Sequence, residues 1–479
     1  MTDILLIDTN TTPFNEAFPV YPIGLDYLQG ALTEAGLGLV EILDLTRAGG
    51  PLGREALSQR GGRSLELIRQ KLREKPWDLV GLSLRNLDST YPILNGSAEL
   101  HYYLPQLMQY LDCVADHADP RTRVVLGGTG FSIMPEAFLA GRPATWHGIV
   151  GPGESALVEL ARVLSAGVEQ PRLIRANGRN ASIGRLQNRA LLTAYLDLPQ
   201  GEGSFGLRSK TGCGQACGYC PYPLINGPQQ ALKDPAVVVE ELRLLSEVHA
   251  AHPARPGLRF MFADDIFNRP LDHAKAVLKA MLAAGIRPDS WHAYLDPSGL
   301  DREFFELVLA SGGWSRPAPE GLDGRVMFFP FDVESGSDRI LKKLGKPYRA
   351  TNILAGVEAW RAVSGAAVDR GELAAAGLGF HLLLGYPGED EGSIAETCRL
   401  VNEAAPDQVA VQLAVRVYPG TPLARQTKGQ LWREEADLRR PVFAPIDEEQ
   451  IMTWLRRHLD AAYDRLARKG NMLLIGRGD

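Results

Sequence analysis

The chain has 479 residues, too many for one ordinary hydrophobic core, so two or three domains are expected. Hydrophobic residues make up 45% and charged residues 23%, which excludes a disordered or collagen-like chain, and five cysteines in this length exclude a disulfide scaffold. Lys and Arg total 51 against 57 Asp and Glu, a net charge of −6, so the balance predicts no nucleic-acid partner and no general attraction to anionic membranes.

The opening MTDILLIDTN has no basic n-region and reads as a first strand. No window reaches the roughly 20 apolar residues of a membrane span, so a cytoplasmic protein without such a span is expected. Further β-rich runs follow at 39–45 (LVEILDL), 77–84 (WDLVGLSL), 123–128 (RVVLGG) and 146–150 (WHGIV). Segments of helical period lie between them, such as GLDYLQGALTEAG at 24–36 and SLELIRQKLREK at 64–75. This alternation predicts an α/β fold opening with a Rossmann-like, doubly wound parallel sheet over 1–190.

Such a sheet binds ligands beyond the carboxyl ends of its strands, here the loops at 9–22, 84–96, 127–135 and 150–155. Two of them carry glycine runs, Gly127-Gly128-Thr129-Gly130 and Gly151-Pro152-Gly153-Glu154. Glycine lets a bulky ligand approach the backbone, although tight turns alone would also require it. The segment 171–205 reads as a linker, with a boundary near 190–200.

A second alternation begins near 205. Helical stretches at 235–248, 271–284, 301–310, 350–363 and 391–404 alternate with β-rich runs at 260–265, 291–296, 326–335, 378–385 and 408–419. With the strand before the cysteines this makes about six βα units, a partial (β/α)6 barrel over 200–425 rather than a full eightfold one. The Gly/Pro stretch at 311–324 is expected to be a surface excursion, and 426–479 a small, charged helical element.

Cys213, Cys217 and Cys220 lie within eight residues, directly after a strand and a Thr-Gly turn. Three thiolates on one loop can hold three corners of a 4Fe-4S cluster and leave one iron open. Zinc is the alternative, but it needs a fourth Cys or His at regular spacing and none is near. Cys113 and Cys398 fall in helical segments and read as buried structural thiols.

The C-x3-C-x2-C loop, with Tyr219 before its last cysteine, resembles the radical S-adenosylmethionine (SAM) superfamily. FMFADDIFN at 260–268 is similar to the family's second-strand motif, which implies that Asp264 and Asp265 hold the methionyl end of SAM; as acidic residues they could instead cap a helix. FDVESGSDRILKKLGK at 331–346 is similar to the motif whose Glu lies near the SAM ribose or amino group, implying Glu334 with Ser335; a structural ion pair is the other reading of Glu334. LLGYPGED at 383–390 and VYPGTPL at 417–423 are similar to later strand-end motifs.

With YPIGLDYLQGALTEAG at 21–36, GGTGFSIMPE at 127–136 and GPGE at 151–154 placed before the barrel, the chain resembles the cobalamin (B12)-binding radical SAM enzymes. The resemblance implies cobalamin contacts from Thr9, Ser83, Arg85, Asn86, Gly127, Gly128, Thr129, Phe131, Gly151, Gly153 and Glu154. No Asp-x-His-x-x-Gly occurs, so the resemblance implies a lower cobalamin face free of a histidine, with SLRNLDST at 83–90 facing the corrin; a surface ion pair is the alternative for Arg85.

The implied activity is that of a 4Fe-4S enzyme that cleaves SAM reductively and functionalises an unactivated carbon, by C-methyl transfer through methylcobalamin. A cobalamin-containing radical SAM cyclase or ring-rearranging oxidoreductase shares every motif, and a non-enzymatic cobalamin sensor leaves the three cysteines unexplained. A methylthiotransferase would need further cluster cysteines. The implied partners are a small-molecule or peptide substrate and a one-electron donor such as flavodoxin or ferredoxin.

Overall fold

The computed structural model describes residues 2–9, 20–48, 57–88, 102–176, 183–198, 205–227, 229–253, 257–319, 323–444, 446–469 and 472–478. The chain forms two compact units, the first comprising Met1–Ser89, His101–Gly212 and Leu224–Pro256, the second Thr90–Leu100, Cys213–Pro223 and Gly257–Asp479.

In the first unit β1 (Asp3–Asp8), β2 (Leu39–Asp44), β3 (Leu79–Ser83), β4 (Arg123–Gly127), β5 (Trp146–Val150) and β6 (Leu173–Arg175) form one parallel sheet in the order β2-β1-β3-β4-β5-β6. Side chains alternate across it, as the pleat requires. Leu5 and Ile7 join a core with Ile68 and Leu72 of α2 (Leu57–Glu74) and Leu107 and Leu111 of α3 (Leu104–His117). Ile4 and Leu6 join the opposite core with Leu25 and Leu32 of α1 (Ile23–Glu34) and Leu157 and Leu160 of α4 (Glu154–Ser165). Strand β6 lies in the stretch read as linker, because its three residues, two half-buried and one exposed, are too few to make an apolar run.

Residues 183–198 are tied to this sheet by two buried carboxylates. Asp26 of α1 accepts the Tyr21 hydroxyl at 2.7 Å and the amides of Gln187 and Asn188 at 3.2 and 3.0 Å. Glu241, on α6 (Pro235–Ala250), accepts the Leu186 amide and the Lys233 ammonium, each at 2.7 Å. Asn188 then caps α5 (Arg189–Leu196), which packs on α6. Three short strands complete the unit, β7 (Phe205–Leu207), then β8 (Lys210–Thr211) paired antiparallel with β9 (Ala231–Leu232). Residues 190–198, within the stretch where composition suggests a boundary, thus pack inside the first unit.

The second unit alternates β10 (Arg259–Phe262), β11 (Ser290–Ala293), β13 (Arg325–Glu334), β14 (Ala375–Leu384) and β15 (Gln408–Leu413) with helices α7 (Leu271–Ala283), α8 (Arg302–Ala310), α9 (Asp338–Leu344), α10 (Ala350–Asp369) and α11 (Glu391–Ala404). β10 runs parallel to β11, and β13 parallel to β14 and β14 to β15, as βα repeats of an open barrel require. The 311–324 stretch is not wholly a surface excursion. β12 (Ser315–Pro317) pairs antiparallel with β13, and the Trp314 amide donates to the Trp291 carbonyl at 2.7 Å. Beyond 426 a helix is present as expected, α12 (Glu448–His458), together with a hairpin of β16 (Arg465–Lys469) and β17 (Met472–Gly476) that adds antiparallel to β15. Met472, Leu473 and Ile475 bury the hairpin, while its charged strand RLARK occupies the edge and blunts it against further pairing.

Replacing Asp26 with Ala would leave a hydroxyl and two amides without their acceptor, at a cost of about 2–5 kcal/mol. Urea unfolding of the variant is expected to show that loss, and Asp26→Asn, which keeps one carbonyl oxygen, a smaller one.

Candidate functional site

In the first unit the strand order reverses between β1 and β3, the position where doubly wound sheets open a crevice. An open cleft lies there, lined by Leu6 of β1, Ser83 ending β3, Gly127 ending β4 and Ile149 of β5. Gly128, Thr129, Gly151, Gly153 and Glu154 also line it, as does Arg208. Two glycines are required by the backbone: Gly128 (φ 94°) and Gly151 (φ 93°) are left-handed, and a Cβ on either would meet carbonyl oxygens at 2.7–2.8 Å. Others are not required by the protein's own packing. At Gly24 a Cβ would meet nothing within 4 Å, and at Gly127 only the Ile149 carbonyl at 3.9 Å.

Glu154 opens α4 beside the cleft and is 5% exposed. Burial pushes its carboxyl above the ordinary range, opposed by the charges of Arg208 and Lys233. Three expected residues serve the fold instead. Phe131 is wholly buried and packs on Phe138 with ring centroids 6.0 Å apart. Thr9 donates to the Ser83 carbonyl at 2.6 Å, tying β1 to β3. The Arg85 carbonyl accepts the Gly130 amide at 2.9 Å, while its side chain is exposed and, like half-buried Asn86, does not line the cleft. Parts of the 9–22 and 84–96 loops, and Ser89-Thr90 of the polar cluster, lie outside the described residues.

In the second unit the cysteine loop is held from several sides. The Gly218 amide donates to the Leu344 carbonyl at the end of α9, and the Gly218 carbonyl accepts the Leu423 amide, both at 2.8 Å. Gln215 bonds the buried Asp296, which also accepts Arg269 at 2.7 Å. α9 ends at left-handed Gly345 (φ 76°), where a Cβ would lie 2.4 Å from the Ala216 carbonyl oxygen. All five cysteines are reduced; Cys213 and Cys217 are buried and Cys220 is partly so. Burial pushes the Cys217 and Cys220 thiols up, so loading a metal here must displace protons. Cys113 sits in α3 with its thiol donating to the Leu65 carbonyl at 3.7 Å, and buried Cys398 sits in α11, its thiol pushed up to about 12 by burial. No group of three His, Cys, Asp or Glu side chains, the three loop cysteines included, gathers as it would around one metal ion among the described residues.

Glu334 ends β13 at a register shift and in left-handed backbone (φ 65°), a conformation costly for a side chain other than glycine. Its carboxylate accepts the Tyr219 hydroxyl at 2.6 Å and Lys346 at 2.7 Å. The ion-pair reading of Glu334 therefore holds, and the pair is built onto the cysteine loop. Ser335 is buried, its hydroxyl 3.2 Å from that of Thr397 and accepting the Ser337 amide at 3.1 Å, a structural use. Asp264 is buried and Asp265 half-buried in the turn after β10. The cap reading fails for both, since α7 starts only at Leu271 with Pro270 before it. The sequence reading missed Asp296, Lys346, Asp332 and His381; Lys346 lay inside the quoted 331–346 segment, but only its approach to Tyr219 marks it.

Residues 15–161 match the B12 binding domain family. The first unit carries a B12-binding domain. The chain is 26% identical over 390 residues to a tryptophan 2-C-methyltransferase of Streptomyces laurentii, covering 64% of this chain and 59% of that protein. It is 25% identical over 225 residues to a tRNA-2-methylthio-N(6)-dimethylallyladenosine synthase of Thermus thermophilus, covering 47% and 43%. The chain thus spans well under two thirds of the length of these curated relatives. The radical SAM methyltransferase TsrM of Kitasatospora setae, solved with cobalamin and a [4Fe-4S] cluster, superposes with a TM-score of 0.70 at 21% identity, covering 97% of this chain and 92% of that one. The chain has that protein's fold.

The residues present fit the groups this fold carries elsewhere. The glycine-lined space at Gly24 and Gly127 suits a large planar cofactor over the strand ends of the B12-binding unit. The soft donor set of Cys213, Cys217 and Cys220 suits an iron–sulfur cluster.

Gly127→Val has room in the protein but fills the cleft, so equilibrium dialysis is expected to show cobalamin affinity reduced about tenfold or more with unfolding unchanged. Gly345→Ala must move the Ala216 carbonyl and adopt a left-handed backbone, and iron content after anaerobic reconstitution is expected to fall with cobalamin binding intact.

Proposed function

We propose that the protein is a cobalamin-dependent radical SAM enzyme that transfers a methyl group to an unactivated carbon of a small-molecule substrate. The observation that carries this reading is the cysteine loop: three thiols on one clamped loop, with the two remaining cysteines buried in helices elsewhere. That set supports one cluster with an open iron and leaves no second cysteine set of the kind a methylthiotransferase needs, although such enzymes are among the relatives. A cobalamin sensor would have no use for the clamp.

When bound, the cluster and cobalamin supply the reductive cleavage of SAM and the methyl transfer. The chain's own residues position and shield. Cys213, Cys217 and Cys220 would hold the cluster, Tyr219 and Lys346 fix the Glu334 carboxylate at the loop, and Asp264 and Asp265 would meet the methionyl end of SAM. The cleft residues Ser83, Gly127, Gly128, Thr129, Gly151, Gly153 and Glu154 would hold cobalamin. A small one-electron donor such as flavodoxin or ferredoxin is the proposed partner. No described helix is long and apolar enough to cross a membrane. Tryptophan is the substrate named for TsrM and in the name of the Streptomyces enzyme, and is the first compound to try.

The chain is reconstituted anaerobically with iron, sulfide and cobalamin, given SAM, reductant and L-tryptophan, then extracts, and 5′-deoxyadenosine, S-adenosylhomocysteine and methylated product are quantified. Substrate-dependent S-adenosylhomocysteine with methylated product is expected; deoxyadenosine with rearranged, unmethylated product would replace this reading with the cyclase one. Triple Cys→Ala replacement at Cys213, Cys217 and Cys220 is expected to abolish iron content and SAM turnover while cobalamin remains bound.

A further inference from the structure

The two faces of β13 are chemically unlike. Phe329 and Phe331 leave on the side of the helices, packing on Phe305 of α8, with ring centroids of Phe329 and Trp360 of α10 5.0 Å apart. Phe328 and Asp332 alternate with them and leave on the inner face of the open barrel. On β14 the residue paired with Asp332 is His381, on the same inner face, since its neighbour Phe380 packs outward on Phe331. Here an ionisable pair stands in mid-sheet, neither buried nor at an edge. His381 Nδ1 lies 2.9 Å from the Asp332 carboxylate, with the two side chains 54% and 33% exposed.

Asp332 fixes this imidazole. Its carboxylate accepts a hydrogen bond from Nδ1–H, so the neutral ring presents the Nε2 lone pair as an acceptor. Beside it the ring of Phe328 lies flat on Gly377 and Gly379, where a Cβ would meet the ring at 2.7 and 2.6 Å, so these glycines exist to let an aromatic platform settle. Trp291 packs through Trp314 onto Phe329 on the helix side, with centroids 5.0 and 4.9 Å apart, so exposed His292 on β11 leaves inward as well. An aromatic floor beside a fixed acceptor is matched by a planar heteroaromatic ring that bears an N–H.

Resting on the methyltransferase reading, we propose that the inner face around Phe328 is the substrate site and that His381, held by Asp332, accepts the ring N–H of an indole-bearing amino acid. Partial desolvation on the inner face disfavours the imidazolium, but the hydrogen bond and charge of Asp332, with the charge of Glu334, outweigh it and hold the His381 pKa above its ordinary value. Asp332 is the ionisable group that β13 turns to this face, with the Glu334 charge near enough to act on His381 and Lys346 engaged with Glu334; β11 adds His292, and strand β15 (QVAVQL) offers none, although Asp407 just before it stands beside Gly377 and accepts the Leu378 amide at 2.7 Å. An acceptor role requires the neutral ring, so binding should strengthen as pH rises through that raised pKa.

The test is equilibrium dialysis of L-tryptophan against the full chain loaded with iron, sulfide and cobalamin, from about pH 6 to 9. Wild type is expected to bind with affinity rising with pH. His381→Ala should lose about tenfold at high pH with cluster and cobalamin content unchanged. Asp332→Asn should move the pH midpoint downward, and His381→Gln, whose amide oxygen can accept without titrating, should restore binding with a flat pH profile. Equal binding by wild type and His381→Ala, or no binding by fully loaded wild type, overturns the proposal. A wild-type chain that cannot be loaded with cluster and cobalamin overturns the enzymatic reading and this proposal with it.

Discussion

The contact between left-handed Gly345 and the cysteine loop is the constraint on which the second unit's chemistry depends. A helix that ends in a left-handed glycine exposes its last carbonyls, and α9 uses one of them, that of Leu344, to accept the Gly218 amide. Because the Ala216 carbonyl lies where a Cβ would stand, the loop presses directly on the helix end. The same turn delivers Lys346 to Glu334 and Tyr219, so one backbone event at Gly345 fixes the loop's shape and its charged neighbours together. A cluster-binding loop needs such outside support, because three thiols brought close together repel once ionised.

The first unit solves a different problem. Its sheet must be covered on both faces and yet leave its strand ends open, and the alternating side chains of β1 with the helices on either side achieve the first. The opening follows from strand order, since chain connections diverge where β1 and β3 adjoin. Glycine then does two things at one place: Gly128 and Gly151 bend the chain, whereas Gly24 and Gly127 simply withhold a side chain. The second kind keeps the cleft open, since Gly24 and Gly127 line it and a side chain there would project into its space.

What could be read from the sequence was what is local. Five strands of the first sheet were visible as apolar runs, and the three cysteines as a spacing, because both signals lie within a few residues. β6 was not, being short and half-exposed, and the terminal hairpin was hidden because RLARK reads as charged and helical until β17 gives it a partner. Among site residues the cysteines and the glycines at strand ends were legible. Phe131 looked like a site residue by its place beside the glycines, but a large apolar side chain following a tight turn is drawn into the core. Asp296, Lys346 and the Asp332–His381 pair each depend on a partner far along the chain: Arg269 lies 27 residues before Asp296, Tyr219 lies 127 before Lys346 and Asp332 lies 49 before His381, separations that no local window spans.

The polar groups of the two units are used in opposite ways. Asp26 and Glu241 are buried and satisfied by backbone amides, a hydroxyl and an ammonium, which makes them fixed fasteners that would be costly to leave half-made. Asp332 and His381 bond each other and remain part-exposed on the inner face of the sheet. A protein that needed the second pair merely for stability would gain little, since an ion pair this exposed contributes at most about 1 kcal/mol. Its place on the inner face is better explained by what the imidazole can still accept than by what the pair holds together.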